Sequence, residues 1–93
     1  MTQLLSEDEI AARLTATEWE RDGDEIVREW KLDDFAAAMA FANRVAEVAE
    51  EANHHPDIFV HGWNKVRLSL TNHSAGGLTE PDFELAARLD GLA

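Results

Sequence analysis

The sequence predicts an α+β domain with the element order α-β-β-α-β-β-α: a four-stranded antiparallel sheet with three helices packed on one face. Three observations carry this. Three segments repeat apolar residues at helical spacing, and each opens on a capping residue. Four shorter segments alternate apolar and polar residues, as half-buried strands do. These four fall into two pairs, each joined by a glycine-containing turn, and paired hairpins build an antiparallel sheet. The 93 residues suit one domain, spanning 1–93. A chain this short gains buried apolar area from a shared interface, so a homodimer or homotetramer is expected.

The first helix opens at Leu5-Ser6-Glu7-Asp8-Glu9-Ile10. Ser6 is the N-cap, Glu9 completes a capping box, and Leu5 with Ile10 form a hydrophobic staple. Ile10, Ala11 and Leu14 carry the stripe to about Ala16, and the first-turn acids suit the helix dipole. Thr17 to Asp22 reads as a strand with Trp19 pointing inward, and Asp22-Gly23-Asp24 is its turn. Glu25 to Leu32 is the second strand. Ile26, Trp30 and Leu32 share one face, with Glu29 and Lys31 on the other. Arg28 breaks the pattern by sharing the apolar face, as a strand end or a subunit contact would explain.

Asp33 is expected to cap the second helix, which runs from about Asp34 to Ala52. Its apolar positions Phe35, Ala38, Phe41, Ala42, Val45, Val48 and Ala49 cover roughly half the surface at about 100° per residue. That face suits core alone, or core plus an oligomer contact. Phasing turns Glu50 toward whatever the helix end faces and Glu51 toward water. The helix stops before Pro56, because the residue preceding a proline is pushed out of the α region. Ile58 to Gly62 and Lys65 to Asn72 form the second hairpin around Gly62-Trp63-Asn64. His73 to Gly77 reads as a flexible connection. Thr79 caps the third helix, Pro81 lies in its first turn, and Leu85, Leu89 and Leu92 form its stripe. Asp82 falls on the inward side of that helix, where an acid needs a partner.

Composition narrows the function. The formal charge of −11 disfavours direct nucleic-acid binding, since an acidic surface repels phosphate. Only Lys31 and Lys65 among the basic residues are lysine, a surface that suits a high-salt host or plain solubility. There is no cysteine, so no disulfide framework and no zinc-finger spacing. No apolar run reaches about 20 residues, and the N-terminus lacks the pattern of a signal peptide. These features lead us to expect a cytoplasmic protein without a membrane span.

All four histidines lie between Glu50 and Asp82. His61 sits mid-strand in an alternating pattern and reads as an ordinary strand residue. His54 and His55 are adjacent, so their side chains diverge, and Pro56 stiffens the backbone behind them. Glu50 and Asp82, at two helix ends, are placed to orient an imidazole. Three chemistries compete. A metal set of His54, His73 and a carboxylate lacks any HExxH pattern, and neighbouring histidines seldom ligate one ion. Nucleophilic catalysis has a poor candidate in Ser74, with no cysteine and no GxSxG elbow. General acid–base catalysis by imidazoles is favoured, because histidine gives and takes protons near neutral pH.

With these residues in place, the chain resembles the pterin-4a-carbinolamine dehydratases. The family pattern is an acid, three residues, His, His or Asn, Pro, a spacer, an aromatic, nine residues, His, and a later Asp. Here it reads Glu50, His54-His55-Pro56, Trp63, His73 and Asp82. Asn64-Lys65-Val66 and Gly77-Leu78 also match, and the resemblance covers nearly the whole chain. The Pro56–Trp63 spacer is one residue longer than in some members, with Gly62 inside it, so a bulge or altered turn is expected there. Trp63 replaces the tyrosine of some members.

The resemblance implies dehydration of 4a-hydroxytetrahydropterin to quinonoid dihydropterin and water, with no metal and no organic cofactor. It links the chain to a pterin-dependent aromatic amino-acid hydroxylase and to tetrahydrobiopterin recycling. It implies that His54 and His73 flank the 4a-hydroxyl and that His55 supports binding or serves as a second acid–base group. Pro56 and Trp63 would wall the flat pterin. Glu50 would bond the amino-pyrimidine edge or orient an imidazole, and Thr71, Asn72 and Ser74 would add polar contacts. Asp82 would hold an imidazole in its tautomer, complete the cap of Thr79, or do both. Other members of the family are dimerisation partners of a transcription factor, or assembly or regulatory factors. The wide apolar face of the second helix leaves room for such a role.

Overall fold

The computed structural model describes residues 3–93. The elements follow the expected order: α1 (Glu7–Leu14), β1 (Glu20–Asp22), β2 (Glu25–Lys31), α2 (Phe35–Ala52), β3 (Asp57–His61), β4 (Lys65–Leu70) and α3 (Glu80–Asp90). The strands form one antiparallel sheet in the order β1-β2-β4-β3. Both hairpins place their second strand at the centre, so β2 pairs with β4 and β3 is left as an edge.

The register decides which face is core. Ile26 lies opposite Leu70 and Trp30 opposite Val66. Together with Leu68 these side chains are buried beneath Phe41 and Val45 of α2 and Leu85 and Leu89 of α3. Trp30 is the hinge of the aromatic core, with Trp19 edge-on at 5.8 Å and Phe41 tilted at 5.1 Å. The alternate residues, including Glu29, Arg67 and Phe59, face away from the helices.

Several boundaries differ from expectation for local reasons. Asp34, not Asp33, caps α2, because its carboxylate accepts from the Ala37 amide at 2.7 Å. α1 ends at Leu14, and β1 begins only at Glu20. Between them Thr17 folds back on the Leu14 carbonyl with both its amide and its hydroxyl, so these residues turn instead of pairing. Trp19 is buried as expected, although it precedes the strand. β3 begins and ends one residue earlier than expected, and β4 stops at Leu70.

Arg28 does not stand at a strand end. It lies mid-strand over the Trp30 ring, 4.5 Å from its centroid, and its Nη1 donates to Asp90 Oδ1 at 2.8 Å. The same carboxylate oxygen accepts from Trp19 Nε1 at 2.8 Å. Asp90 therefore ties the end of α3 to the sheet.

Candidate active site

The C-terminus of α2 aims the histidine pair. Asn53 follows the helix in the left-handed conformation, φ 51°, and its amide closes on Glu50. The His54 amide bonds back to the Ala49 carbonyl at 3.1 Å. The chain then leaves the helix axis, and Pro56 delivers it to the first residue of β3. His54 turns inward and is half-buried, whereas His55 turns outward.

His54 meets Asp82. Its Nε2 lies 2.5 Å from Asp82 Oδ1, and the carboxylate is fully buried. The other oxygen, Oδ2, accepts from the Thr79 amide at 2.8 Å and from the Thr79 hydroxyl at 2.9 Å. Asp82 therefore completes the cap of α3 and at the same time contacts an imidazole. With Nε2 engaged by Asp82, Nδ1 of His54 is left for other partners.

His55 pairs with Glu50, Nε2 to Oε2 at 3.0 Å, with both side chains well exposed. Glu51 is exposed, as expected, and accepts from Arg88 of α3 at 3.0 Å on the surface. His61 stays apart from this group. It bonds Glu29 at 2.5 Å and stacks on Phe59, ring centroids 4.8 Å apart.

His73 is exposed in the turn after β4. This turn is closed, not loose. Asn72 accepts from the amides of Ala75, Gly76 and Gly77 and donates its own to the Gly77 carbonyl at 3.1 Å. His73 lines a cleft of about 410 Å³ with Asp24, Asp57, Thr71, Asn72 and Gly76 among its walls. That volume suits a small ligand. Asp57 directly follows His54-His55-Pro56, so the histidine pair and His73 lie at the same end of the sheet. Asp24 and Asp57 are cleft residues that the motif does not contain. Asp57 could have been found from its place at the strand start, but Asp24 arrives from another hairpin. Thr71 and Asn72 use their side chains within the fold, Thr71 on the Asp24 carbonyl at 2.6 Å and Asn72 on the Ala75 amide at 3.0 Å. Ser74 is exposed beside His73. Among the described residues no three His, Cys, Asp or Glu side chains converge as a metal cluster.

Trp63 is elsewhere. It projects from the tip of the β3–β4 hairpin, 62 % exposed. The cleft lies at the Asp57–Ser69 end of that hairpin, whereas Trp63 lies beyond the His61–Lys65 end. The strand between them spans roughly 14 Å at about 3.4 Å per residue. The longer spacer is absorbed in the turn, with no bulge in the strand register. Gly62 and Trp63 both take positive φ, 55° and 59°, which is uncommon for a tryptophan. Buried Asn64 fastens the turn to β2: its amide nitrogen donates to the Leu32 carbonyl at 3.0 Å, and its own carbonyl accepts from Leu32 N at 2.7 Å.

The chain thus folds as a two-hairpin sheet under three helices, with a carboxylate-held histidine beside an acidic cleft. Comparison with known proteins gives the family. Residues 3–92 match the family model described as pterin 4 alpha carbinolamine dehydratase, and the chain belongs to that family. Relatives provisionally named pterin-4-alpha-carbinolamine dehydratase include one from Natronomonas pharaonis, 46% identical over 100% of this chain and 99% of the relative. Another, from Chloroflexus aurantiacus, is 54% identical over 95% of both chains. Among solved structures, a transcriptional coactivator/pterin dehydratase from Brucella melitensis superposes with a TM-score of 0.90 at 33% identity, covering 98% of this chain and 99% of that one. A pterin dehydratase-like protein identified as a RuBisCO assembly factor in the alpha-carboxysome superposes with a TM-score of 0.68 at 27% identity, covering 84% and 92%.

Proposed function

We propose that this protein dehydrates 4a-hydroxytetrahydropterin, giving quinonoid dihydropterin and water. The observation that carries the reading is the buried Asp82 carboxylate bonded to His54. An acid held at full burial with both oxygens engaged is a costly feature unless it serves a purpose. Here it fixes the tautomer and direction of one imidazole, at the sheet end that carries His73. Hydroxide is a poor leaving group, so breaking the C4a–O bond needs a proton delivered to that oxygen. A ring N–H must lose its proton as the new double bond forms. His54 and His73 flank the hydroxyl, one as acid, and His55, on the exposed side, supports binding or shares in the proton transfer. Glu50 holds His55 in place. The acids Asp24 and Asp57 offer acceptors to a donor-rich amino-pyrimidine edge, and Pro56 offers it a flat wall. The reaction needs no metal or organic cofactor. It would serve a pterin-dependent aromatic amino-acid hydroxylase in the cytoplasm, in tetrahydrobiopterin recycling.

The test is the decay of synthetic 4a-carbinolamine with and without protein. Wild type accelerates it, and His54→Ala with His73→Ala removes the acceleration while circular dichroism stays unchanged. Wild-type rates in that double variant would sink the assignment.

A second reading, a non-catalytic assembly or regulatory factor, is favoured by one observation. Phe35 and Met39 of α2 are 55% and 39% exposed, which leaves an apolar patch on that helix. The assembly-factor relative shows that the fold can serve such a role. Absence of any acceleration by the wild-type protein would favour this reading.

A further inference from the structure

A buried carboxylate without a lysine or arginine beside it must be held by donors of another kind. Among the described residues, the bonds of the Asp82 carboxylate run to His54 and Thr79 alone. We infer that Thr79 is a positioning residue for the proton transfer at His54: its hydroxyl and amide hold one carboxylate oxygen so that the other meets the imidazole. The inference rests on the dehydratase reading for the reaction that Thr79 serves, but not for the geometry.

The chain contains its own comparison. α1 and α3 both open on a hydroxyl residue followed three positions later by an acid. At α1 the box is exposed. The Glu9 amide donates to the Ser6 hydroxyl at 3.1 Å, and Glu9 Oε1 accepts from the Ser6 amide at 2.9 Å. Among the described residues the Glu9 carboxylate bonds to this cap alone. At α3, Thr79 and Asp82 are both fully buried. The Thr79 hydroxyl donates to Asp82 Oδ2 at 2.9 Å, beside the Thr79 amide at 2.8 Å. The amide bond is what the cap requires. The hydroxyl bond is additional. Two donors from one residue on one oxygen oppose rotation of the carboxylate, and Oδ1 is left facing His54 Nε2 at 2.5 Å. The effect of the hydroxyl therefore falls on the direction of Oδ1.

Thr79 is itself braced. Leu4 bridges it as an antiparallel pair, and the Leu5 amide donates to the Leu78 carbonyl at 2.9 Å. The Asp82 amide closes on the Thr79 carbonyl at 3.2 Å. The segment ahead of α1 thus steadies the residue that aims Asp82. A hydroxyl on a steadied backbone places a carboxylate more closely than one on a free loop.

Two substitutions separate positioning from mere support. Thr79→Val removes the hydroxyl but keeps the amide and the branched shape. Thr79→Ser keeps the hydroxyl but removes a methyl group from a buried site. A structural role ranks both by their loss of stability, whereas a positioning role splits them. Thr79→Val is expected to lower kcat about 10- to 100-fold, the loss of one hydrogen bond to a charged group expressed as a rate, with KM little changed. Thr79→Ser is expected to retain turnover, and Thr79→Ala repeats the comparison without the branched side chain. Ser6→Ala, which breaks the exposed cap of α1, should leave kcat unchanged whatever it does to the melting point. Wild-type kcat in Thr79→Val, or a fall in Thr79→Ser as large as in Thr79→Val, would overturn the assignment.

Imidazole nitrogen NMR of the same proteins gives a readout that needs no turnover. Thr79→Val should shift the Nε2 resonance of His54 and leave those of His55, His61 and His73 in place, while Thr79→Ser moves none of them. An unshifted His54 in Thr79→Val would overturn the positioning role regardless of the kinetics. A wild-type protein that does not accelerate carbinolamine decay, but whose His54 resonance follows the Thr79 hydroxyl, would sink the dehydratase reading and leave the positioning of His54 standing.

Discussion

Asp82 and Thr79 close a cap that also reaches His54: one carboxylate oxygen takes the Thr79 amide and hydroxyl, and the other takes the imidazole. The start of α3 and the end of α2 are thereby joined through a single buried side chain. Asp82→Asn keeps the volume but replaces one acceptor oxygen with a donor. We expect a rate loss in the range of about 10²–10⁴-fold typical of general acid–base groups, with KM changed little. Stability should fall by about 1–3 kcal/mol, since a buried donor loses its acceptor. Steady-state kinetics and urea unfolding of the one variant check both.

The two adjacent histidines should separate cleanly. His55 and Glu50 are 60% and 76% exposed, and an exposed pair of this kind contributes about 0–1 kcal/mol. His55→Ala should leave the unfolding midpoint unchanged and act mainly on KM. His54→Gln, which can still donate to Asp82, should retain the fold and lose turnover. Equal kinetic losses in the two variants would contradict the inward and outward assignment.

Asp90 accepts from both Trp19 and Arg28, although the pair with Arg28 is partly exposed. Asp90→Ala should destabilise the protein by about 1–3 kcal/mol through the orphaned indole and guanidinium. Because these groups are far along α3 from Asp82, turnover at saturating substrate should be unaffected. Thermal unfolding beside a single-point assay distinguishes the two effects.

Acid should weaken α1 first. Arg21 holds the Glu7 carboxyl below its ordinary value of 4.5. Bonds from the Ser6 amide and hydroxyl do the same for Glu9. A carboxyl depressed in the folded state stabilises above its unfolded pKa, and that contribution is lost as pH falls through the folded value. Glu7→Gln with Glu9→Gln should therefore flatten the decline of the urea midpoint below about pH 4.5. An unchanged slope would show that these acids do not report on folding.

The site was legible in proportion to how local its parts are. Helix phasing did not separate Glu50 from Glu51, which are both well exposed, but it turned Asp82 inward, because side-chain direction on a helix follows from position alone. Alternation set His61 aside for the same reason. The cap of α2 was placed one residue early, since Asp33 and Asp34 are equivalent in composition and only the bond to Ala37 distinguishes them. Asp90 escaped notice because its partners lie 62 and 71 residues away, with no periodicity linking them. The turn at His73 read as flexible because the bonds closing it on Asn72 are mostly made by backbone groups.

By itself the sequence determined the element order, the core faces, the histidine motif and its family, all of which rest on short-range spacing. Tertiary structure alone decided that Asp82 meets His54, that Asp24 and Asp57 share a cleft with His73, and that Trp63 stands at the far end of β3. These are relations between separate elements, set by strand register and helix docking, and a spacing along the chain does not encode a distance across the sheet.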